Sequence, residues 1–194
     1  MVKGHAVTPG ATAGAATPRI IYRYFLFILE AAARTSGGIL NYWVFKSEPD
    51  EFGIDDLAAQ EQQTARWDGI RNYQARNNLR DKVTKGDRVL FYHSSCKQTG
   101  IAGTMEVVKA AYPDPAQFDP ASKYFDAKSD LQSPRWYCVD VRLLERFAEV
   151  IPSTLLRANP DTAGLSIFRQ GRLSIAPATR AQWQAVAKLK ARAT

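Results

Sequence analysis

"KGDRVLFYHSS" (residues 85–95), followed after three residues by "TGIAGTMEVVKAAY" (99–112), decides how this chain is read. Lys85-Gly86-Asp87 is a turn, and Val89, Phe91 and His93 then alternate with Arg88, Leu90 and Tyr92, the two-residue period of a strand. The second segment is again rich in β-formers. Its glycines at 100 and 103 mark a bend or a close backbone approach. Together the two segments predict an antiparallel pair.

Working outward, "NYWVFKSEP" (41–49) is a strand of aromatic and β-branched residues that Pro49 terminates. "DEFGIDDLAAQ" (50–60) places Ile54, Leu57 and Ala58 at helical spacing. Asn72 caps a helix over "YQARNNLRDKV" (73–83), with Ala75 and Leu79 toward the core and Tyr73, Arg76, Asn77 and Arg80 on another face. Downstream, "RWYCVDVRLLERF" (135–147) is a strand with Tyr137, Val139, Val141 and Leu143 on one side. "PSTLLRAN" is a helix capped by Ser153 and "GRLSIAPAT" a final strand. "TRAQWQAVAKLK" is a helix capped by Thr179 that buries Trp183, Val186 and Ala187. Residues 113–135, rich in Asp, Pro, Ser and Lys, form a long loop, which inside a small domain is a functional flap or a flexible excursion. Strands mixed with short helices and no regular alternation define an α+β fold with a largely antiparallel, barrel-like sheet.

Residues 1–39 are a different kind of sequence. The first 19 are Gly, Ala, Thr and Pro rich without period, and "IIYRYFLFILEAAA" (20–33) is too short to span a bilayer. We read 1–39 as a disordered or partly helical extension that follows a misassigned start, with Leu40 as the position of the true initiation codon, and 40–190 as one domain. The whole chain carries +7, but Lys3, Arg19, Arg23 and Arg34 against Glu30 account for +3 of it, leaving +4. That balance favours a local basic site over an extended polyanion grip. Cys96 and Cys138 are read as free thiols of a reducing compartment, the cytoplasm or, in a eukaryote, the nucleus. His5 and His93 make no zinc spacing with them. No phosphate loop or dinucleotide fingerprint is present, so no cofactor and no metal are expected.

The chemistry concentrates in "WDGIRNYQARN" (67–77): two aromatics, two arginines, two asparagines, a glutamine and an aspartate in eleven positions. A structural segment explains the rings and the charges separately, but not the crowding of Asn72, Gln74 and Asn77 beside them. A nucleobase site uses those same parts, a ring to stack, amides and carboxylates for the base edge and a cation for phosphate. Glu48 and Asp68 form an acid–base pair or, more simply, make local turn contacts. Ser47, Ser94 and Ser95 lack a nucleophile elbow, and His93 is the one histidine in the domain that suits a general base.

In order, "NYWVFKSEPDEF", "WDGIRNYQARN", "KGDRVLFYHSSCKQTGIAG", "AYPDPAQFDPASKYFDAKSD" and "SPRWYCVDV" resemble the EVE domain family over about residues 40–190. The resemblance implies a PUA-like fold, a small β-barrel with flanking helices, and a pocket for a nucleobase, with modified cytosines in DNA as the proposed ligands. It implies no catalysis. Carried onto this sequence, the site comprises Lys46, Ser47 and Glu48; Trp67, Asp68, Gly69, Arg71, Asn72, Tyr73, Arg76 and Asn77; and Tyr92, His93 and Ser94. Trp67 is expected to stack or wall a cage, such that Trp67→Ala removes binding with the fold intact. Glu48 and Asn72 are expected to read the base edge, and Arg71 and Arg76 to hold phosphate. The expected partner is a nucleic acid or modified nucleotide, with no membrane and a monomeric protein. Two rivals stay open: an enzyme on a nucleotide-like substrate and a general RNA-binding module. Leu40 stands where the family begins with Met, and Asn78 where it usually has an apolar residue.

Overall fold

The 85–95 stretch lies inside the sheet. The computed structural model describes residues 40–193, so the expectation for residues 1–39 falls outside the described residues. In chain order the elements are β1 (Tyr42–Ser47), the short helices α1 (Pro49–Phe52) and α2 (Ile54–Ala59), β2 (Thr64–Trp67), α3 (Tyr73–Asp81), β3 (Arg88–His93) and β4 (Gly100–Pro113). After a long connection come β5 (Tyr137–Pro152), α4 (Ser153–Ala158), α5 (Ser166–Arg169), β6 (Ile175–Ala178) and α6 (Arg180–Ala193). No helix among the described residues is long and apolar enough to cross a membrane.

One six-stranded sheet runs β2-β5-β4-β3-β1-β6. Only β1 with β3 is parallel, and the other four pairings are antiparallel. The fold is therefore mixed α+β, with a sheet that does not close by hydrogen bonds, since no pairing joins β2 to β6. The sheet nonetheless curls. Trp67 on edge strand β2 has its ring 5.1 Å from Phe91 of β3 and 5.5 Å from Phe45 of β1, three and four places away in the strand order. Aromatic packing spans the gap that backbone hydrogen bonds leave.

All six residues of β3 are buried, on both of the faces between which the sequence alternates. An interior strand covered on both sides has no solvent face to reserve for polar groups. Arg88 accordingly pairs with Glu106 at 2.8 Å. The close-approach reading of Gly103 holds: a Cβ there would stand 2.4 Å from the Glu145 carbonyl oxygen, where β4 and β5 shift register. Asn78, the apparent misfit of α3, is buried and donates from Nδ2 to the Ile175 carbonyl at 3.0 Å, tying the helix to β6. Two caps differ in outcome. Thr179 accepts from Gln182 N at 3.1 Å as expected, while Ser153 caps nothing and shares a hydrogen bond with the Thr99 hydroxyl at 2.8 Å. The β2 strand and α5, four residues each, are too short for a periodic signal.

The 114–136 connection is ordered by one buried glutamine. Gln117 donates from Nε2 to the carbonyls of Asp114 and Trp136, both at 2.8 Å. Its Oε1 accepts from Ser129 Oγ, Arg135 N and Trp136 N at 2.8–3.0 Å. Buried amides hold a loop this way because leaving either end unpaired costs about 1–3 kcal/mol.

Candidate functional site

The segment 67–72 leaves β2 at Trp67, turns at Gly69 with φ 72°, and enters α3 through Asn72, whose Oδ1 accepts from Ala75 N at 3.0 Å. Two groups from the long connection grip the turn. The Asp114 carboxylate, fully buried, accepts from Gly69 N at 3.2 Å and from Arg71 Nη1 at 2.9 Å. Tyr124 lies over Gly69 so closely that a Cβ would meet its ring at 2.6 Å. Only glycine serves there, for the positive φ and for that contact.

This turn walls a cavity of about 730 Å3, within the usual range for small-ligand sites, about 300–1,000 Å3. The end of β1 and the start of α1 contribute Lys46, Ser47, Glu48, Glu51 and Phe52. Ser94 and Ser95 follow β3, Lys123 and Tyr124 come from the long connection, and Gly171, Arg172 and Ser174 precede β6.

Trp67 lies at the boundary between core and cavity. It is 5% exposed, with Phe45, Phe52 and Phe91 packed around its ring at 5.1–6.2 Å between centroids. No hydrogen bond uses its indole N–H, and no buried side-chain nitrogen or oxygen among the described residues lacks a partner. The N–H therefore keeps access to open space, and Trp67 lines the cavity. Trp43 and Trp136 differ, donating to Asp87 at 2.9 Å and to Asp126 at 2.7 Å.

Five cations line the cavity against three carboxylates. Arg66 pairs with Asp68 at 2.8 Å, and Lys123 with Glu51. Arg71 is occupied by the protein: besides Asp114 it donates to the Ile70 carbonyl at 3.0 Å and from both Nε and Nη2 to the Tyr124 carbonyl. Lys46 Nζ donates to the Gly171 carbonyl at 2.7 Å, and its partial burial lowers its pKa. Arg172 is exposed and makes no ion pair or hydrogen bond among the described residues. Glu48 is likewise exposed at the mouth, its carboxylate unpaired.

Of the residues proposed from sequence, Lys46, Ser47, Glu48, Trp67, Asp68, Gly69, Arg71, Asn72 and Ser94 converge on this cavity. Five do not line it. Tyr73, Arg76 and Asn77 point outward from α3, because Ala75, Asn78 and Leu79 take its buried face. Tyr92 and His93 are enclosed in β3; His93 Nε2 accepts from Ile54 N at 3.1 Å, and burial lowers its pKa. A neutral imidazole holding a backbone N–H is not a general base for this cavity. Cys138 is inert for a related reason, since burial pushes its thiol pKa up to about 12. Arg66, Lys123, Tyr124 and Arg172 escaped the sequence reading. The long Asp- and Pro-rich loop was the signal for Tyr124, whereas Arg172 sits in "QGRLS" with nothing to distinguish it.

A small α+β domain with one aromatic-floored, cation-rimmed cavity at a strand–helix junction is the class that fold and site define. The EVE domain profile matches residues 41–189, and the chain belongs to that family. Thymocyte nuclear protein 1 of Mus musculus is 41% identical over 167 residues, covering 77% of this chain and 74% of its own. Among solved structures, a hypothetical protein from Leishmania major superposes with TM-score 0.76 at 40% identity, covering 80% of this chain and 97% of that one. The human THYN1 protein in complex with 5-methylcytosine-containing DNA superposes with TM-score 0.74 at 38% identity, covering 77% and 97%.

Proposed function

We propose that this chain is a nucleic-acid reader that takes one modified nucleobase into the cavity floored by Trp67, and that the base is 5-methylcytosine or a close analogue. The observation that carries the reading is the uncapped indole N–H of a tryptophan otherwise enclosed by the core. A recessed donor that no protein group occupies is free to meet a ligand acceptor, which takes the place of solvent there. A cytosine offers O2 and N3 as acceptors and an exocyclic amine as donor. Trp67 supplies the complementary donor and Glu48 an acceptor for the amine. Phe52 and Ile70 offer apolar wall for a 5-methyl group. Arg172 and Lys46 are the cations we assign to phosphate, in place of Arg71. A base can enter such a cavity only by leaving its stack, so single-stranded or mismatched sites should bind more tightly than paired ones. The human relative's complex with 5-methylcytosine-containing DNA supports the same ligand class. We also read the curled sheet as a PUA-like barrel with an open seam.

Calorimetric titration of 5-methyl-2′-deoxycytidine, 2′-deoxycytidine and 5-methylcytidine tests this. The methylated deoxynucleoside should bind best, and Trp67→Phe, which keeps an aromatic ring and removes the donor, should weaken it about 5- to 15-fold in a chain that still melts cooperatively. Equal affinity for all three, or a Trp67→Phe variant that binds as the parent does, would sink the proposal.

A further inference from the structure

The aromatic and cationic face of α3 does not belong to the cavity, yet it is joined to it by an unbroken stack. Arg71, on the cavity rim, has its guanidinium carbon 5.1 Å from the ring centre of Tyr124 and 5.3 Å from that of Trp136. The Trp136 ring stacks on Tyr73 with centroids 5.0 Å apart and planes 29° from parallel. Arg76 then lies 5.0 Å from the Tyr73 ring centre, and Arg135 5.8 Å from it. Ring and guanidinium planes thus continue from the cavity lip to the open surface of α3.

The inner members of this stack have structural duties. Trp136 is buried and donates to Asp126, Arg135 pairs with Asp126 at 3.1 Å, and Arg71 holds the rim turn. The outer members are tied in more lightly, the Tyr73 hydroxyl accepting from Arg135 Nη2. Tyr73 is 49% exposed, an unusual state for a large ring among the described residues. Arg76 donates to Asn77 Oδ1 at 2.8 Å and to the Arg135 carbonyl at 2.6 Å but has no carboxylate partner. A half-exposed ring beside a guanidinium that makes no ion pair offers stacking to a base and charge to a phosphate.

We infer that this face binds the nucleotide adjacent to the one in the cavity, so that the protein grips a strand at two consecutive positions. The inference rests on the reading of the cavity as a nucleobase site. The first contact is base-specific and the second is tolerant of sequence, because every base has a face to stack. Charge complementarity selects a nucleic-acid strand as the occupant: Arg76 adds a positive charge beside a cavity rim that is itself net positive.

The test uses two probes on the full chain: 5-methyl-2′-deoxycytidine, which can fill only the cavity, and a single-stranded pentadeoxynucleotide with 5-methylcytosine at its centre. Tyr73→Ala should weaken the pentamer about 5- to 100-fold and leave the nucleoside within twofold. Arg76→Gln, on the exposed side of its helix, should weaken the pentamer and reduce the slope of log K against log salt by about one. Melting temperature accompanies both variants; were Tyr73→Ala to unfold, Arg76→Gln and Tyr73→Leu, which keeps the bulk without the ring, decide the matter. Pentamer affinity unchanged in folded variants overturns the inference while leaving the cavity reading intact. A parallel loss of nucleoside and pentamer overturns it too, since the face would then act through the cavity. A parent that binds the pentamer but not the nucleoside removes the cavity reading on which the inference stands.

Discussion

Trp67 and Trp136 are each 5% exposed, and both are packed against aromatic rings. Burial does not separate them; the partner of the indole N–H does. Trp136 donates to Asp126 inside an ordered connection, and its polar handle is satisfied by the protein itself. Trp67 has the same enclosure and an open handle facing the cavity. A ring that completes its own hydrogen bonding belongs to the scaffold, whereas one that leaves a donor open retains a place for a ligand. For the same reason Trp67→Ala is not the clean probe that the sequence alone suggests: deleting a ring so enclosed costs about 3–5 kcal/mol of stability.

The contrast between scaffold and site breaks most severely at Asp114. Asp114→Ala leaves Arg71 without its carboxylate and Gly69 N and Ala116 N without their acceptor, and urea unfolding should show a loss of about 3–5 kcal/mol, with nucleoside affinity falling alongside. Next is Gly69→Ala, which forces a side chain into positive φ and against Tyr124. About 1–3 kcal/mol of destabilisation is expected, and a crystal structure of the variant should find Tyr124 displaced. Sharper is the pair Trp136→Phe and Trp67→Phe. Both lose the same indole bulk, so the first should lower stability by about 1–3 kcal/mol more than the second, with the reverse order in nucleoside affinity; equal stability losses would erase the contrast between the two rings.

The smallest effect is a pH dependence. Burial depresses the pKa of His93 in the folded chain, so the unfolded chain, with the ordinary value near 6.5, binds more protons in the window just below it. Stability is therefore complete above that pH and declines as pH falls from about 6.5 toward the folded pKa. Melting curves between pH 8 and 5 should show this decline, and His93→Gln should flatten it.

Much of this was legible in one dimension because it is periodic. Tyr42 to Phe45, Val89 to Phe91 and the Ala75–Leu79 spacing announce their elements through hydrophobic pattern, and Asn72 announces its cap through position. The 67–72 segment was legible through composition, since planar polar groups beside rings are rarely gathered without use. What stayed hidden depends on the path of the chain between distant segments. Asp114 is one more acid in an acid-rich loop until the fold brings it against Gly69 and Arg71, forty-five and forty-three positions away. His93 looked like a base because a sequence cannot show that the Ile54 amide occupies its nitrogen. The face of Tyr73 and Arg76 was visible, but helix geometry alone could not say that the cavity lies on the other side of Arg71.

The clasp of Asp114 and Tyr124 on the rim turn bears on time as well as affinity. Because the long connection is tied at Gln117 and again at Asp114, the expected behaviour of this side of the mouth is that of a fixed aperture instead of a gate. Association should then be paced by how often the substrate strand presents an unstacked base, so that the on-rate tracks duplex opening in the nucleic acid and is insensitive to solvent viscosity changes that slow protein loops.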